Sequence, residues 1–463
     1  MRKFFGGHSL IGVTIIISVF ILAVFLRFFE LDSQGPWTDE IASWWYLRHL
    51  DTVFYRESHS PLFYGILRFF LGKDATISGI RHFVAAVSVI HLIELFFLGQ
   101  LALKKRAFLL FWVFICLNPA DIVHARMARH YSWLLEGVLV YFLLWKIDSP
   151  RWMRMIAGVF IAFTHVFAVI PITLLAMFDF YRHRRVKDLA ISLIPSFISL
   201  GYYAVRFYTF GSEKVMSNIS WVKSNSWIFL SSTITQFFGD SYPRFEFYPV
   251  PPALAAVIFA ITLVSIIYYR KQSGRMFFFI FISSMILVEI LSPWANFRVN
   301  RFVIYLSGLW LFALADSLED AKDYVFYPVL ICPVLYLIYL NPLLDFPWER
   351  ERVQQWNKVN GREAVSQKLV CMNIYQSEYF GMKYGPCMEQ ALLLDSTKPI
   401  LFFDLNGTET YAVARFVSSM NVTDYIPLDI RGLIVRFDPK ENPVPVPVKK
   451  LKKNKVKNGK SKK

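Results

Sequence analysis

Runs of about twenty apolar residues recur along the chain, and most of them stop at a cluster of Lys or Arg. A helix rises about 1.5 Å per residue, so a run of that length crosses the roughly 30 Å hydrocarbon core of a bilayer. The first run, residues 8–29, is almost wholly apolar. Composition agrees: 55% of the 463 residues are hydrophobic and 18% are charged, where a soluble chain carries about 25% charged residues. The excess apolar surface must face lipid. The same figures exclude a disordered chain and a disulfide scaffold.

Basic clusters set the direction of the runs, because cytoplasmic loops are enriched in Lys and Arg. Arg2 and Lys3 place the N-terminus inside, and 104–106, Arg151 with Arg154, 182–187, and Arg270 with Lys271 and Arg275 mark further inner loops. The first run reads as a retained helix, since no small-residue cleavage site precedes Arg27. Residues 155–181 read as two short helices meeting near Thr164-His165, because one continuous helix would put 182–187 outside. The crossings are then 8–29, 78–103, 108–123, 131–147, the pair in 155–181, 189–207, 249–269, 276–291, 301–315 and 324–340, eleven in all. Segments 37–50 and 61–72 are too short to cross, and the first is rich in Trp. They read as juxtamembrane helices on the outer side. The expected fold is an all-α polytopic membrane protein in a cell membrane, with residues 1–340 as its membrane domain.

After Asn341 the composition changes. Residues 368–374, 399–405 and 432–437 read as strands and 408–420 as a helix, giving a small α/β extracytoplasmic domain over 341–448 that ends in a Pro-Val repeat. Asn406-Gly-Thr and Asn421-Val-Thr are sequons, and Cys371 and Cys387 could bridge in that location. The tail 449–463 holds nine Lys and no acid, a solvated, disordered segment. It has no aromatic residue to stack a base, and no nucleic-acid partner is expected. No CxxC or HExxH pattern occurs, so no metal site is signalled.

Chemistry-bearing residues gather on the outer side. Trp37-Thr38-Asp39-Glu40 puts two carboxylates just beyond a membrane exit. They suit a general base with a partner, or equally the first turn of a helix capped by Thr38. His59 precedes Pro61 at a helix start. Arg126 and Arg129, at i and i+3 before His130 and Tyr131, suit a lipid phosphate, because a guanidinium fork matches its oxygens. Arg298 and Arg301 repeat that spacing. His165 is costly within the membrane unless it faces a polar cavity, Lys223 is a further phosphate candidate, and His91 with Glu94 reads as a mutually satisfied pair.

The ordered set Arg27, Gly35-Pro-Trp-Thr-Asp39-Glu40, His59-Ser-Pro-Leu-Phe-Tyr64, Arg126 with Arg129-His-Tyr131, Thr164-His165 and Arg301-Phe302 resembles the GT-C membrane glycosyltransferases over about residues 8–320. Within that group it is similar to the dolichyl-phosphate-mannose–protein mannosyltransferase-like branch, which includes the lipid A aminoarabinose transferase. Here Ser60 stands where that pattern has Pro, and Phe302 where it has Tyr. The resemblance implies Asp39 and Glu40 as catalytic residues. It implies His59, Arg126, Arg129, Tyr131, His165 and Arg301 as substrate contacts, to which the residue pattern adds Lys223 and Arg298. The implied donor is a polyprenyl- or dolichyl-monophosphate sugar and the acceptor an extracytoplasmic hydroxyl; no cofactor is expected, and no metal, because Arg residues can match the charge of a monophosphate. A lipid flippase or transporter using the same Arg residues is the alternative.

Overall fold

The computed structural model describes residues 10–32, 38–51, 61–210, 226–236, 260, 263–264, 267–268, 271–293, 297–298, 300–340, 367–371, 400–404, 420–427 and 433–439. The chain divides into two units, Met1–Phe346 and Pro347–Lys463.

The first unit is helical. In α1 (Leu10–Phe28) the buried positions are Gly12, Ile16, Val19, Ala23, Leu26 and Arg27. That spacing of three and four turns one stripe inward. Leu10, Ile11 and Ile21 on other faces stay exposed, as lipid-facing side chains do. Two short helices follow, α2 (Thr38–Arg48) and α3 (Pro61–Leu71). Thr76 caps α4 (Ile77–Ala102) by accepting the Gly79 N–H. Next come α5 (Lys105–Cys116) and α6 (Pro119–Ala125), bent 45° apart. The bend has a local cause: Pro119 removes a backbone donor, and the Asn118 side chain accepts from Ala120 N–H to start a new helix.

At the centre stand α7 (Tyr131–Lys146) and α13 (Tyr305–Ser317), apolar on nearly every face and buried accordingly. Glycines let them sit close to their neighbours. A Cβ on Gly137 would lie 2.4 Å from Ile161 Cγ2, and one on Gly308 would lie 2.8 Å from Leu139 Cδ1. Around them pack α8 (Arg151–Thr164), α9 (Val169–His183), α10 (Val186–Phe210), α11 (Ser226–Gln236), α12 (Gln272–Leu291) and α14 (Asp323–Leu340). The break at His165, followed by the 3₁₀ turn Val166–Ala168, separates α8 from α9 where the charge pattern puts it.

Among the described residues, Leu10–Phe28, Ile77–Ala102, Val186–Arg206 and Gln272–Leu291 are each long and apolar enough to cross a membrane. The bent pair α5–α6 is a fifth such span. The chain is thus built as a multi-pass membrane protein. The expected crossing at 249–269 lies largely outside the described residues.

In the second unit, β1 (Gln367–Cys371), β2 (Ile400–Asp404), β3 (Met420–Pro427) and β4 (Leu433–Pro439) form one sheet in the order β1-β2-β4-β3. β1 and β2 are parallel, while β4 runs antiparallel to both β2 and β3. The sequence pattern anticipates three of these strands. It misses β3, which includes Asn421 and Thr423 of the second sequon. The expected helix 408–420 lies outside the described residues apart from Met420, which begins β3. Cys387, the sequon at 406–408 and the Lys-rich tail also lie outside them.

Candidate active site

One end of the helical unit brings together Asp39, Glu40, Arg129, Tyr131 and His165 among the expected residues. Asp39 and Glu40 occupy the first turn of α2, where the helix dipole favours negative charge. Successive residues on a helix point about 100° apart, so the two neighbouring carboxylates have different fates. The Asp39 side chain is 26% exposed and its Oδ2 lies 3.3 Å from Arg129 Nη2. Glu40 is 2% exposed. Asp39 is therefore reachable by a second molecule and Glu40 is closed off.

Arg129 is held from several sides. Its Nη1 donates to Ser43 Oγ at 3.3 Å and to the Tyr64 hydroxyl at 3.1 Å. Its guanidinium stands 5.8 Å over the Tyr131 ring. Burial works against the charge of Arg129, but Asp39 foremost and the surrounding phenols hold its pKa above the ordinary value, so it is a permanent cation. Burial also pushes the Tyr64 phenol up, with Arg129 opposing, so Tyr64 stays neutral near pH 7.

Glu40 is fully engaged. Arg81 Nε donates to Glu40 Oε1 at 2.8 Å and Arg81 Nη2 to Oε2 at 2.5 Å, a bidentate pair. Ala128 N–H donates to Oε1 at 2.8 Å. Arg81 also donates to the Leu31 carbonyl at 3.2 Å, just past the end of α1.

The i, i+3 spacing of Arg126 and Arg129 leads one to expect a shared helical face, and the structure corrects this. The helix α6 ends at Ala125, and 126–130 is a non-helical turn before α7. The two side chains part company. Arg126 Nη1 donates to the Leu26 and Phe29 carbonyls, both at 2.7 Å, and so caps the C-terminal end of α1. Arg129 turns to Asp39.

Tyr131 opens α7 and His165 ends α8. Their rings are 6.0 Å apart, with His130 5.2 Å from His165. His165 Nδ1 accepts from Phe167 N–H at 3.2 Å, which leaves Nε2 as the donor position when the ring is neutral. Phe302, which replaces the Tyr of the resemblance, packs 5.1 Å from His165. Arg298 is committed elsewhere: its fork meets Glu289 at 3.0 and 2.7 Å, and Ser226 Oγ shares that carboxylate at 2.9 Å. Arg301 stands in the 3₁₀ turn Asn300–Val303, with its side chain outside the described ones. His59 and Lys223 lie outside the described residues.

Sequence reasoning passes over Arg81, Ser43 and Tyr64. The signal for Arg81 is a lone cation one turn into an apolar helix, which must find a partner. It also passes over a second buried cluster. Arg27 pairs with Asp121 and donates to Ser88 Oγ at 2.8 Å, and Ser88 donates to Glu136 Oε1 at 2.5 Å. All four side chains are fully buried. His91 meets Glu94 at 3.0 Å, the pairing its spacing indicates. Among the described residues, no three His, Cys, Asp or Glu side chains are grouped to hold a metal.

No protein-family model and no curated protein matches the chain. Among solved structures, it is similar to ArnT from Cupriavidus metallidurans in the apo state, at 12% identity and TM-score 0.44, over 92% of this chain and 97% of that one. The same protein bound to undecaprenyl phosphate aligns at 13% identity and TM-score 0.41, with the same coverage. The archaeal oligosaccharyltransferase AglB from Archaeoglobus fulgidus, in complex with an inhibitory peptide and a dolichol-phosphate, aligns at 14% identity and TM-score 0.41, over 83% of this chain. The chain spans 60% of the length of that protein. The chemistry of the site rests on its own side chains.

Proposed function

We propose that the chain is an inverting glycosyltransferase that moves one sugar from a polyprenyl- or dolichyl-monophosphate donor to a hydroxyl acceptor at the outer face of a cell membrane. The observation that carries this reading is the solvent-reachable Asp39 carboxylate set 3.3 Å from the buried guanidinium of Arg129. A base and a fixed cation side by side, at the end of a membrane bundle, suit a reaction in which a hydroxyl loses a proton while a lipid phosphate departs.

The steps balance as follows. The acceptor O–H gives its proton to Asp39 while its oxygen attacks the anomeric carbon. The bond from that carbon to the lipid phosphate oxygen breaks, and its electron pair leaves with the phosphate. A single displacement inverts the anomeric centre. The departing charge falls to Arg129, with Arg126 nearby in the chain and Arg301 as the motif resemblance implies. Fixed cations aimed at developing charge are among the largest contributions to catalysis. Tyr131 and His165 line the same end and offer donors to the sugar or phosphate, while His59 enters as a contact by resemblance and Lys223 as a phosphate candidate of the outer loop. No metal is required in this scheme, because a monophosphate carries less charge than a nucleotide diphosphate and guanidiniums can match it. The N-terminus lies in the cytoplasm, with the site and the C-terminal unit outside.

Purified protein given a panel of polyprenyl-phosphate and dolichyl-phosphate sugars, with free lipid phosphate as the readout, tests the reading. Release with one donor, and a product of inverted configuration, is the expected result. Transbilayer movement of the intact lipid without release would instead identify a flippase. Loss of release with a chelator, restored by a divalent cation, would remove the metal-free scheme.

A further inference from the structure

We propose that Glu40 and Arg81 form a positioning pair that sets the distance between Asp39 and Arg129 by gripping the backbone at Ala128. The proposal deepens the glycosyltransferase reading and rests on it. It moves Glu40 from the reacting groups to the frame behind them, and gives a role to Arg81.

The geometry is a ladder of two rungs. Asp39 and Glu40 are consecutive on α2, and Ala128 and Arg129 are consecutive in the turn before α7. One rung is the ion pair from Asp39 to Arg129 at 3.3 Å. The next is the hydrogen bond from Ala128 N–H to Glu40 Oε1 at 2.8 Å. Because 126–130 is not helical, its backbone lacks the repeating bonds of a helix, and a local turn bond, Arg129 N–H to the Met127 carbonyl at 2.7 Å, leaves its distance from α2 unset. The Glu40 rung supplies that constraint. Arg81 anchors the rung to the bundle: its fork takes both Glu40 oxygens while Nη1 reaches the Leu31 carbonyl, so α1, α2, α4 and the turn meet at one carboxylate. Glu40 itself is out of a substrate's reach. It is 2% exposed, and protonating it would leave the Arg81 cation, 4% exposed, without its counter-charge.

The test uses the full-length protein in lipid nanodiscs, with the same donor panel and with hydrogen exchange followed at residues 126–130. Glu40→Gln and Arg81→Gln should each lower kcat per folded molecule by about a hundredfold, the scale of an ångström of misplacement. KM for the donor lipid should change far less, and Ala128 should exchange faster. Arg81→Lys, which keeps the charge without the fork, should recover part of kcat. The double variant Glu40→Gln/Arg81→Gln removes both buried charges together. It should regain the thermal stability lost in Arg81→Gln while its kcat stays low, a split that a purely structural role would not give. Unchanged exchange at Ala128, or wild-type kcat in Glu40→Gln, would overturn the proposal. So would loss of one limb of the rate–pH profile in Glu40→Gln, the mark of a direct proton acceptor. If the wild type releases no lipid phosphate from any donor, the glycosyltransferase reading fails. Exchange at Ala128 then decides the grip by itself, upholding it if faster in Glu40→Gln and rejecting it if not.

Discussion

The helical unit is charged at both ends, and the ends are built differently. Arg81 sits one turn into α4 and Lys104 just past its end, roughly 35 Å apart along a helix. At the Arg81 end the ion pairs are buried, with Glu40, Arg81 and Arg129 all below 5% exposed. At the Lys104 end the pairs are more open, with the Lys104, Asp320 and Asp323 side chains more than half exposed and the Lys146–Asp316 pair half-buried. Lys104 meets Glu319 at 2.6 Å, Lys271 meets Asp320 at 2.8 Å, Arg106 meets Asp323 at 2.9 Å and Lys146 meets Asp316 at 3.2 Å. Water screens the second set more than the first. The surface belt ties α4, α5, α7, α12, α13 and α14 at little cost, as membrane proteins commonly do with cytoplasmic basic loops. The buried end pays heavily in desolvation, and such a cost is expected where a site needs fixed charges.

Substitutions sharpen the contrast. The largest effect should come from cutting a buried pair in half. Arg81→Gln or Arg27→Gln each leaves a buried carboxylate without its guanidinium and should cost about 3–5 kcal/mol, read by thermal unfolding in detergent. A loss below about 1 kcal/mol, the range of surface pairs, would erase the distinction between the ends. Between the ends, packing sets the scale. Gly137→Ala puts a methyl against Ile161 Cγ2 and should cost about 1–3 kcal/mol by overpacking, without changing donor specificity in turnover assays.

The smallest effects belong to the belt. Lys271→Gln should change stability by about 0–1 kcal/mol, and less in high salt. Its pH behaviour has a defined sign. A hydrogen bond and charge from Lys271 hold the Asp320 carboxyl below its usual range, so that contribution is present above the ordinary carboxylate pKa and fades as pH falls through the lowered one. Asp320 in turn raises Lys271, whose contribution is present below the ordinary lysine pKa and is lost as pH rises through the raised one. The pair should be intact across neutral pH. Acid titration of the Asp320→Asn variant, compared with wild type below the carboxylate range, should show the difference vanish.

What the sequence made legible follows from which forces are local. The first-turn acids of α2 and the break at His165 arise from caps, dipoles and charge placement within a few residues, whereas 108–123 reads as one crossing and the bend at Asn118-Pro119 between α5 and α6 was missed. The parting of Arg126 and Arg129 was hidden, because their spacing reads as one face unless the seven-residue length of α6 is known. The pairing of Glu40 with Arg81 spans 41 residues and leaves no periodic trace. The Arg27 cluster, joined across 61 and 94 residues, was hidden for the same reason. In the C-terminal unit β3 was masked by its polar Asn421, Thr423 and Asp424, which read as a sequon and a loop.

The central claim is that Asp39 takes the acceptor's proton while Arg129 faces the leaving phosphate. Turnover and donor-lipid binding of Asp39→Asn, measured side by side, test it most directly. The account predicts a fall in lipid-phosphate release of about 10²–10⁴-fold, the usual worth of a general base, with polyprenyl-phosphate binding largely kept. Near-normal release in that variant, or loss of binding and turnover in equal measure, would contradict it.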